Sequence, residues 1–299
     1  GLQPARDASG IRSGAAELLV IAHPDFIDAL APLVQQRESQ GWSAKVVDVE
    51  DVYAEFGGDI FDPAAIRSYI TFAVANLETE AVLLVGGDTY DYRNYLGFGG
   101  LSFIPSLYTP SGDIVSYAPS DGLFADADGD RIPEVAIGRF PVRTTADVEA
   151  LVAKTLQYET LIDRKSLLLA ADGYDAPTHF SFSQSSEELV ASVPPAWQID
   201  RVYLDAMTVA DARVALLSGL NEGVAVTSYM GHSGPIAWTF DGVFNNSDAA
   251  GLVNEDLPTV VLQWGCWTSY FVEPANNTLA HKLLLSGGSG AAAVLGATT

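Results

Sequence analysis

One cysteine and one histidine follow two apolar segments of this sequence. Cys266 is the single cysteine of the chain, and it comes after the strand-like segment 258–264 and one glycine. His232 comes after the apolar segment 223–230 and lies in a glycine-rich loop. Because parallel strands present functional groups beyond their carboxyl ends, two neighbouring strands would bring this imidazole and thiol together. Such a pair can act as a nucleophile and its general base.

Each residue taken alone has a structural explanation. A lone cysteine is more often a small buried hydrophobe, and a lone histidine before a turn is more often a capped or core residue. The catalytic interpretation gains weight because each residue ends its own apolar strand, and a nucleophile and its acid–base partner must converge from separate chain segments.

The composition excludes several classes of protein. The 299 residues include 15 lysines and arginines against 38 aspartates and glutamates, a net charge of −23. Nucleic acid is therefore not an expected partner, because phosphate binding depends on clustered cationic side chains. No apolar run reaches membrane-spanning length, and residues 1–14 do not form a signal peptide. One cysteine allows no internal disulfide, and a core of this size needs none.

Strand and helix patterns alternate along the chain, which predicts an α/β fold with mostly parallel sheets covered by helices on both faces. Strands are predicted at 18–22, 44–49, 81–85, 135–140, 166–171, 198–204, 223–230, 258–264 and 290–296. Helices are predicted at 26–40, 63–77, 144–161, 183–193, 209–220 and 276–286. The predicted domains are an N-terminal extension (1–17), an N-terminal α/β subdomain (18–162) and a C-terminal catalytic α/β subdomain (163–299).

Short segments of the chain carry a family resemblance through their order and spacing. They are Leu84-Val85-Gly86-Gly87-Asp88, Ser120-Asp121, Ile137-Gly138-Arg139-Phe140, Tyr158-Glu159, and His232 with Trp238 six residues later. From about residue 18 to its end, the chain resembles the gingipain-type cysteine peptidases, relatives of the caspases, legumain and clostripain. The spacing from His232 to Cys266 is also similar to that of this family.

The resemblance implies a caspase-like fold of two adjoining α/β subdomains and a cysteine endopeptidase. Cys266 would attack the peptide carbonyl, and His232 would take up the thiol proton and protonate the leaving amine. The backbone amides of Cys266 and Ser233 would bind the oxyanion. The family usually has glycine where this chain has Ser233, and a Cβ atom restricts the backbone there.

The resemblance also implies a third acidic residue and a substrate pocket. Asp172, after the strand 166–171, matches the carboxylate that orients the histidine, although an aspartate there is also a common cap or turn residue. Trp238, Trp267 and Ser183 are the predicted substrate-binding residues. Arginine-specific gingipains have aspartate at the position of Ser183, so we expect neutral side chains before the scissile bond, unless another acid such as Glu187 enters the pocket.

An acidic loop provides carboxylates at alternate positions. Its candidate metal ligands are Asp126, Asp128, Asp130 and, just beyond, Glu134. Oxygen ligands of this kind suit a structural Ca²⁺, although the loop lacks the pattern of an EF-hand and an exposed acidic turn is the alternative. No cofactor is expected for catalysis. A zinc site is not expected, because the histidines at 23, 179 and 281 share no ligand spacing with Cys266.

The sequence therefore predicts a secreted or cell-surface thiol protease that acts on protein or peptide substrates. Two alternatives stay open, a sortase-like transpeptidase and a non-catalytic binding or scaffold domain of the same fold. A propeptide or flanking domains outside this chain are further expected partners.

Overall fold

The computed structural model describes residues 6–112 and 115–299. The chain divides into two compact units, Gly1–Val152 and Ala153–Thr299. The division falls within the helix Thr145–Thr160, whereas the sequence analysis placed it after that helix, at residue 162. The second half of this helix belongs to the second unit because Lys154 and Tyr158 donate hydrogen bonds to backbone carbonyls of that unit. No helix in the described ranges is long and apolar enough to cross a membrane.

The first unit is built on a four-stranded parallel sheet with the order β2-β1-β3-β6. The strands of the unit are β1 (Leu18–Ala22), β2 (Ala44–Asp48), β3 (Ala81–Val85), β4 (Tyr108–Pro110), β5 (Tyr117–Pro119) and β6 (Ala136–Phe140). Strands β4 and β5 form a separate antiparallel pair. Strand β1 is almost entirely buried, as expected for a central strand covered on both faces.

The helices of this part of the chain are α1 (Ala31–Ser39), α2 (Val49–Phe56), α3 (Pro63–Asn76), α4 (Gly122–Ala125) and α5 (Thr145–Thr160). Helices α2 and α3 begin at aspartate caps, because Asp48 and Asp62 accept hydrogen bonds from the amides of Glu50 and Ala64 at 2.9 and 2.8 Å. The buried faces of α2 and α3 pack with β1 and β3 into one hydrophobic core.

Several elements of the first unit differ from the sequence prediction. The helix predicted at 26–40 is replaced by two 3₁₀ turns, Pro24–Phe26 and Asp28–Leu30, followed by α1. Pro32 lies in the first turn of α1, where its missing amide hydrogen costs no hydrogen bond, so the helix begins at Ala31. Helices α2 and α4 and the β4–β5 pair were not predicted.

The second unit is built on a five-stranded parallel sheet with the order β14-β13-β9-β7-β8. Its strands are β7 (Ser166–Ala171), β8 (Gln198–Tyr203), β9 (Val226–Met230), β10 (Ser233–Gly234), β11 (Ala237–Trp238), β12 (Phe244–Asn245), β13 (Thr259–Trp264) and β14 (Ala291–Gly296). Strands β10, β11 and β12 form a small antiparallel sheet that was not predicted. The helices of the second unit are α6 (Phe182–Val190), α7 (Val209–Asn221), α8 (Asn246–Ala250) and α9 (Leu279–Leu284).

Candidate active site

Three neighbouring parallel strands of the second sheet end in register. Ala171, Met230 and Trp264 are the last residues of β7, β9 and β13, and they pair side by side across the sheet. The chain therefore leaves all three strands at one edge, where parallel sheets present functional groups. Asp172, the loop containing His232, and the loop containing Cys266 begin at that edge.

A hydrogen bond joins the histidine and cysteine loops directly. The hydroxyl of Ser233 donates to the backbone carbonyl of Cys266 at 2.8 Å. Cys266 is exposed. Ser233 lies in β10 and pairs with Trp238, and its φ is not positive. The backbone there therefore accepts a serine side chain where gingipain-type peptidases usually have glycine. The loop geometry that the sequence left in doubt is therefore compatible with serine.

Gly265 permits this close approach. A Cβ atom at position 265 would lie 2.2 Å from the Ser233 hydroxyl oxygen and 2.8 Å from the carbonyl oxygen of Gly231. Both distances are far below ordinary contact. Glycine at this position is thus required by the packing of the two loops and not by a turn conformation.

The ring of His232 is held by two aromatic side chains and one carboxylate. Its centroid lies 5.2 Å from that of Phe182 and 5.0 Å from that of Phe240. Nε2 is 3.8 Å from Oδ2 of Asp175, and the histidine side chain is 39% exposed. The imidazole therefore has a defined orientation and remains accessible to a substrate.

Asp172 contacts the backbone of the histidine and not its ring. Its Oδ2 accepts a hydrogen bond from the His232 amide at 3.2 Å, and its Oδ1 accepts one from Gly173 at 2.8 Å. Its predicted role of orienting the imidazole stays a prediction. Among the described residues, Asp175 supplies the carboxylate nearest the ring, and the sequence analysis missed it.

Tyr229 binds the backbone of the histidine loop, and the sequence analysis did not identify it. The fully buried phenol donates to the carbonyl of His232 and accepts a hydrogen bond from the Thr239 amide at 3.1 Å. Burial raises the pKa of the Tyr229 phenol, and the charges of Asp172 and Cys266 raise it further. The hydroxyl therefore stays protonated and keeps its donor role.

The family model for peptidase family C25 matches residues 11–299. The chain belongs to this family. Its gingipain-type resemblance is thus confirmed. No curated protein matches the chain's sequence.

Solved structures confirm the predicted caspase-like α/β fold of family C25. The chain is similar to the complex of Porphyromonas gingivalis RgpB pro- and mature domains, with a TM-score of 0.75, 20% identity, and coverage of 95% of this chain and 64% of that chain. It is also similar to the Arg-specific cysteine proteinase gingipain R (RgpB), with a TM-score of 0.73, 19% identity and coverage of 98% and 64%. The C25 chain thus spans about two thirds of the length of these structures.

Trp238 occupies a different environment from the one that the resemblance implied. Its side chain is fully buried, stacks on Tyr229 at 4.5 Å between centroids, and donates to Oε1 of Gln263 at 2.7 Å. A substrate cannot reach a side chain in this position. The predicted placement of Trp238 in the substrate site is therefore corrected: Trp238 is a core residue. Trp267 is half-buried, with a positive φ of 62° and its amide bonded to the carbonyl of Thr299.

Ser183 has a carboxylate beside it. Its hydroxyl donates to Oδ2 of the exposed Asp205 at 2.5 Å, and the other oxygen of Asp205 accepts the amide of Tyr174. Glu187, the acid considered from sequence, is paired with Arg201 at 2.6 Å. The neutral preference expected of this C25 chain stays a prediction, but Asp205 weakens the argument that no acid lies near Ser183.

The acidic loop in the first unit of the C25 chain brings its carboxylates together. Asp126, Asp128, Asp130 and Glu134 each offer an oxygen within 4.8 Å of the others. The loop's own amides hold the carboxylates, as Gly129 donates to Asp126 at 2.7 Å. A guanidinium nitrogen of Arg67 lies 3.5 Å from Asp126.

Proposed function

We propose that this C25 chain is a cysteine endopeptidase that uses Cys266 as nucleophile and His232 as acid–base residue. The observation that carries the proposal is the register of β7, β9 and β13, which brings both residues to one edge of the sheet. The exposure of Cys266 and the orientation of the His232 ring support it. Membership of family C25 is independent support.

The proposed reaction proceeds through a thioacyl enzyme. The Cys266 thiol loses its proton to His232, and the sulfur attacks the peptide carbonyl to form a tetrahedral oxyanion. The amides of Ser233 and Cys266 donate hydrogen bonds to this oxyanion. When the intermediate collapses, the C–N bond breaks and the leaving amine takes the proton from His232. Water then attacks the thioester, and hydrolysis returns the proton to the sulfur.

Substitution of each residue tests the proposal. We expect Cys266→Ala and His232→Ala each to lower peptide kcat by about 10³-fold or more, because each performs a step that the other cannot. Melting temperatures should change little, since both side chains are solvent-accessible. Turnover by purified Cys266→Ala at the wild-type rate would disprove the nucleophile assignment. Labelling by a thiol-reactive acyloxymethyl ketone should likewise require Cys266.

We also propose that the acidic loop holds a structural Ca²⁺. The donor set fits this ion, because Asp126, Asp128, Asp130 and Glu134 provide hard oxygen ligands whose spacing a flexible shell accommodates. Asp126 is 2% exposed, and a buried carboxylate is stabilised by a cation. The ion would add no step to the peptidase reaction.

Chelation tests the calcium proposal. Removal of Ca²⁺ leaves four neighbouring carboxylates to repel one another, so the melting temperature should fall by several degrees and recover with added calcium. Asp128→Asn should reduce the recovery, whereas Asp59→Asn, an exposed aspartate outside the loop, should not. An unchanged calorimetric scan, with loss of metal shown by elemental analysis, would reject the site.

A propeptide partner and a location outside the cell complete the proposal. One similar structure is a complex of RgpB pro- and mature domains. We infer that this chain likewise binds a pro-segment, and we expect the segment to cover the substrate site. Addition of that segment as a separate peptide should slow labelling of Cys266.

A further inference from the structure

A cavity of about 470 Å³ lies within the first unit and shares no residue with the catalytic site. Its volume is in the range of small-molecule sites. Aromatic side chains dominate its lining: Phe61, Tyr90, Tyr92, Tyr108 and Tyr117. Three buried polar residues, Asp88, Thr89 and Ser106, also line it.

The rings of this cavity are unusually exposed for their size. Their exposed fractions range from 36% for Tyr108 to 60% for Tyr117. Single exposed aromatic residues are common on protein surfaces, but five around one cavity form a surface suited to a ligand. Aromatic faces carry partial negative charge and attract cations. One ring already has such a contact, since the guanidinium of Arg93 lies 5.4 Å from the Tyr92 centroid.

Asp88 places a buried negative charge in the same cavity. Its side chain is 3% exposed and accepts hydrogen bonds from the amides of Thr89 and Ser106 at 2.7 and 2.9 Å. The hydroxyl of Ser102 donates at 2.5 Å. All of these donors are neutral, and no cationic side chain of the described residues lies within ion-pair distance of Asp88.

The nearby buried guanidinium has another partner. Arg139 binds Asp121 through two hydrogen bonds, of 2.8 and 2.7 Å, and interacts with Asp88 electrostatically. A buried carboxylate without a contacting cation is costly, and the cost falls when a positive charge enters its cavity. The aromatic rings and the carboxylate therefore both favour a positively charged ligand.

We propose that this cavity binds a quaternary ammonium cation. A carboxylate has about four lone-pair sites, and neutral donors already use three of those of Asp88. Little capacity remains for N–H donors, so a cation without any fits better than a primary amine. Ser106 supplies a second polar contact, because its buried hydroxyl has no hydrogen-bond partner among the described residues. It can bond a hydroxyl group on the ligand.

Calorimetric titration of the purified 299-residue chain with three probes tests whether binding requires the positive charge and the N-methyl groups of the ligand. Choline is the cation, 3,3-dimethyl-1-butanol is its uncharged isostere, and ethanolamine is the primary amine. We expect choline to bind saturably and about tenfold more tightly than either comparator. Absence of saturable choline binding would overturn the proposal, as would equal or tighter binding of the neutral isostere or of ethanolamine.

Substitutions then locate the site. Tyr117→Leu should weaken choline binding about fivefold. Tyr117→Phe keeps the ring, so it should bind choline about as tightly as the wild type. Asp88→Asn should weaken it further if the variant folds. Tyr95→Leu removes an aromatic residue that is 80% exposed and outside the cavity lining, so choline affinity should stay unchanged. If Tyr95→Leu weakens binding as much as Tyr117→Leu, or if Tyr117→Phe fails to restore it, the cavity is not the site.

Discussion

Asp175 is the residue whose position changes the interpretation of the catalytic site most. Its carboxylate lies 3.8 Å from Nε2 of His232 and is mostly buried, at 13% exposure. The loop that carries it is fixed by two backbone hydrogen bonds between Asp175 and Phe180. An anionic group at this point favours one ring orientation, and in the proposed mechanism it would stabilise the positive charge that His232 gains when it takes the thiol proton. We therefore expect Asp175 to act as a positioning residue for His232.

Asparagine at position 175 tests this role. We expect Asp175→Asn to lower kcat about tenfold with little change in KM, because the long contact to a half-exposed ring contributes modestly. Asp175→Glu should recover part of the loss. Asp200→Asn serves as the matched control, since Asp200 is exposed on β8 and accepts a hydrogen bond from Gln198. A change in KM alone, or an equal loss of kcat in both asparagine variants, would contradict the assignment.

At the scale of elements, the approach of two loops depends on Gly265. An added Cβ would collide with the Ser233 side chain and with the backbone of Gly231. We expect Gly265→Ala to lower kcat/KM about a hundredfold, because the collision would displace Cys266, the proposed nucleophile, from its productive position. The measurement is steady-state kinetics on one peptide substrate.

A double substitution separates this steric effect from general destabilisation. Ser233→Gly removes the nearest colliding atom, so Ser233→Gly with Gly265→Ala should regain part of the activity. The Gly231 carbonyl still limits the recovery. Gly234→Ala is the control, because a Cβ there meets no atom within 4 Å. Activity of Gly265→Ala at the wild-type level would show that the loops tolerate separation.

The sequence predicted most elements of both sheets because their strands are continuous apolar runs. Strands β1, β3 and β7 have the predicted bounds. Short elements were missed, since the two-residue strands of the β10–β12 sheet have no periodicity to detect. Boundaries shifted where caps decide them, as in α9, which begins after Thr278 and not at residue 276.

The candidate site was predictable to the same degree. Cys266 and His232 follow adjacent apolar strands, so strand register brings their loops to one edge of the sheet, and their catalytic roles stay predictions. Asp175 and Tyr229 reach the histidine through loop geometry and core packing, which depend on contacts between distant segments. Trp238 carried a family signal, but its burial follows from packing on Tyr229 and Phe244.

At the scale of the whole molecule, one buried lysine links stability to pH. The side chain of Lys154 is 2% exposed, and Nζ donates to the carbonyls of Leu284 and Ser289 at 2.5 and 3.0 Å. Burial lowers the pKa of Lys154 to about 8. The unfolded chain, with an ordinary lysine pKa of about 10.4, binds more protons than the folded chain between these values. Stability should therefore rise as pH increases from about 8 to about 10.

Buried tyrosines limit this window at its upper end. Burial raises the pKa of Tyr53, Tyr69 and Tyr229, so their contribution to stability falls once unfolded tyrosine ionises above about pH 10. Below about pH 9 the tyrosines of the unfolded chain are still largely protonated, so the contribution of Lys154 is the larger one there. Its full size is about 3 kcal/mol in the free energy of unfolding, from the difference between the two pKa values.

Urea unfolding at pH 7.5, 8.25 and 9 measures the effect of Lys154. Tryptophan fluorescence reports mainly on the unit that contains Lys154, because four of the five tryptophans lie at 197, 238, 264 and 267. We expect the wild-type free energy of unfolding to rise over this range and that of Lys154→Met to rise much less. Lys282→Met, at a half-buried position in the same unit, should keep the wild-type slope. Parallel slopes for wild type and Lys154→Met would show that the buried ammonium is not the source of the pH dependence.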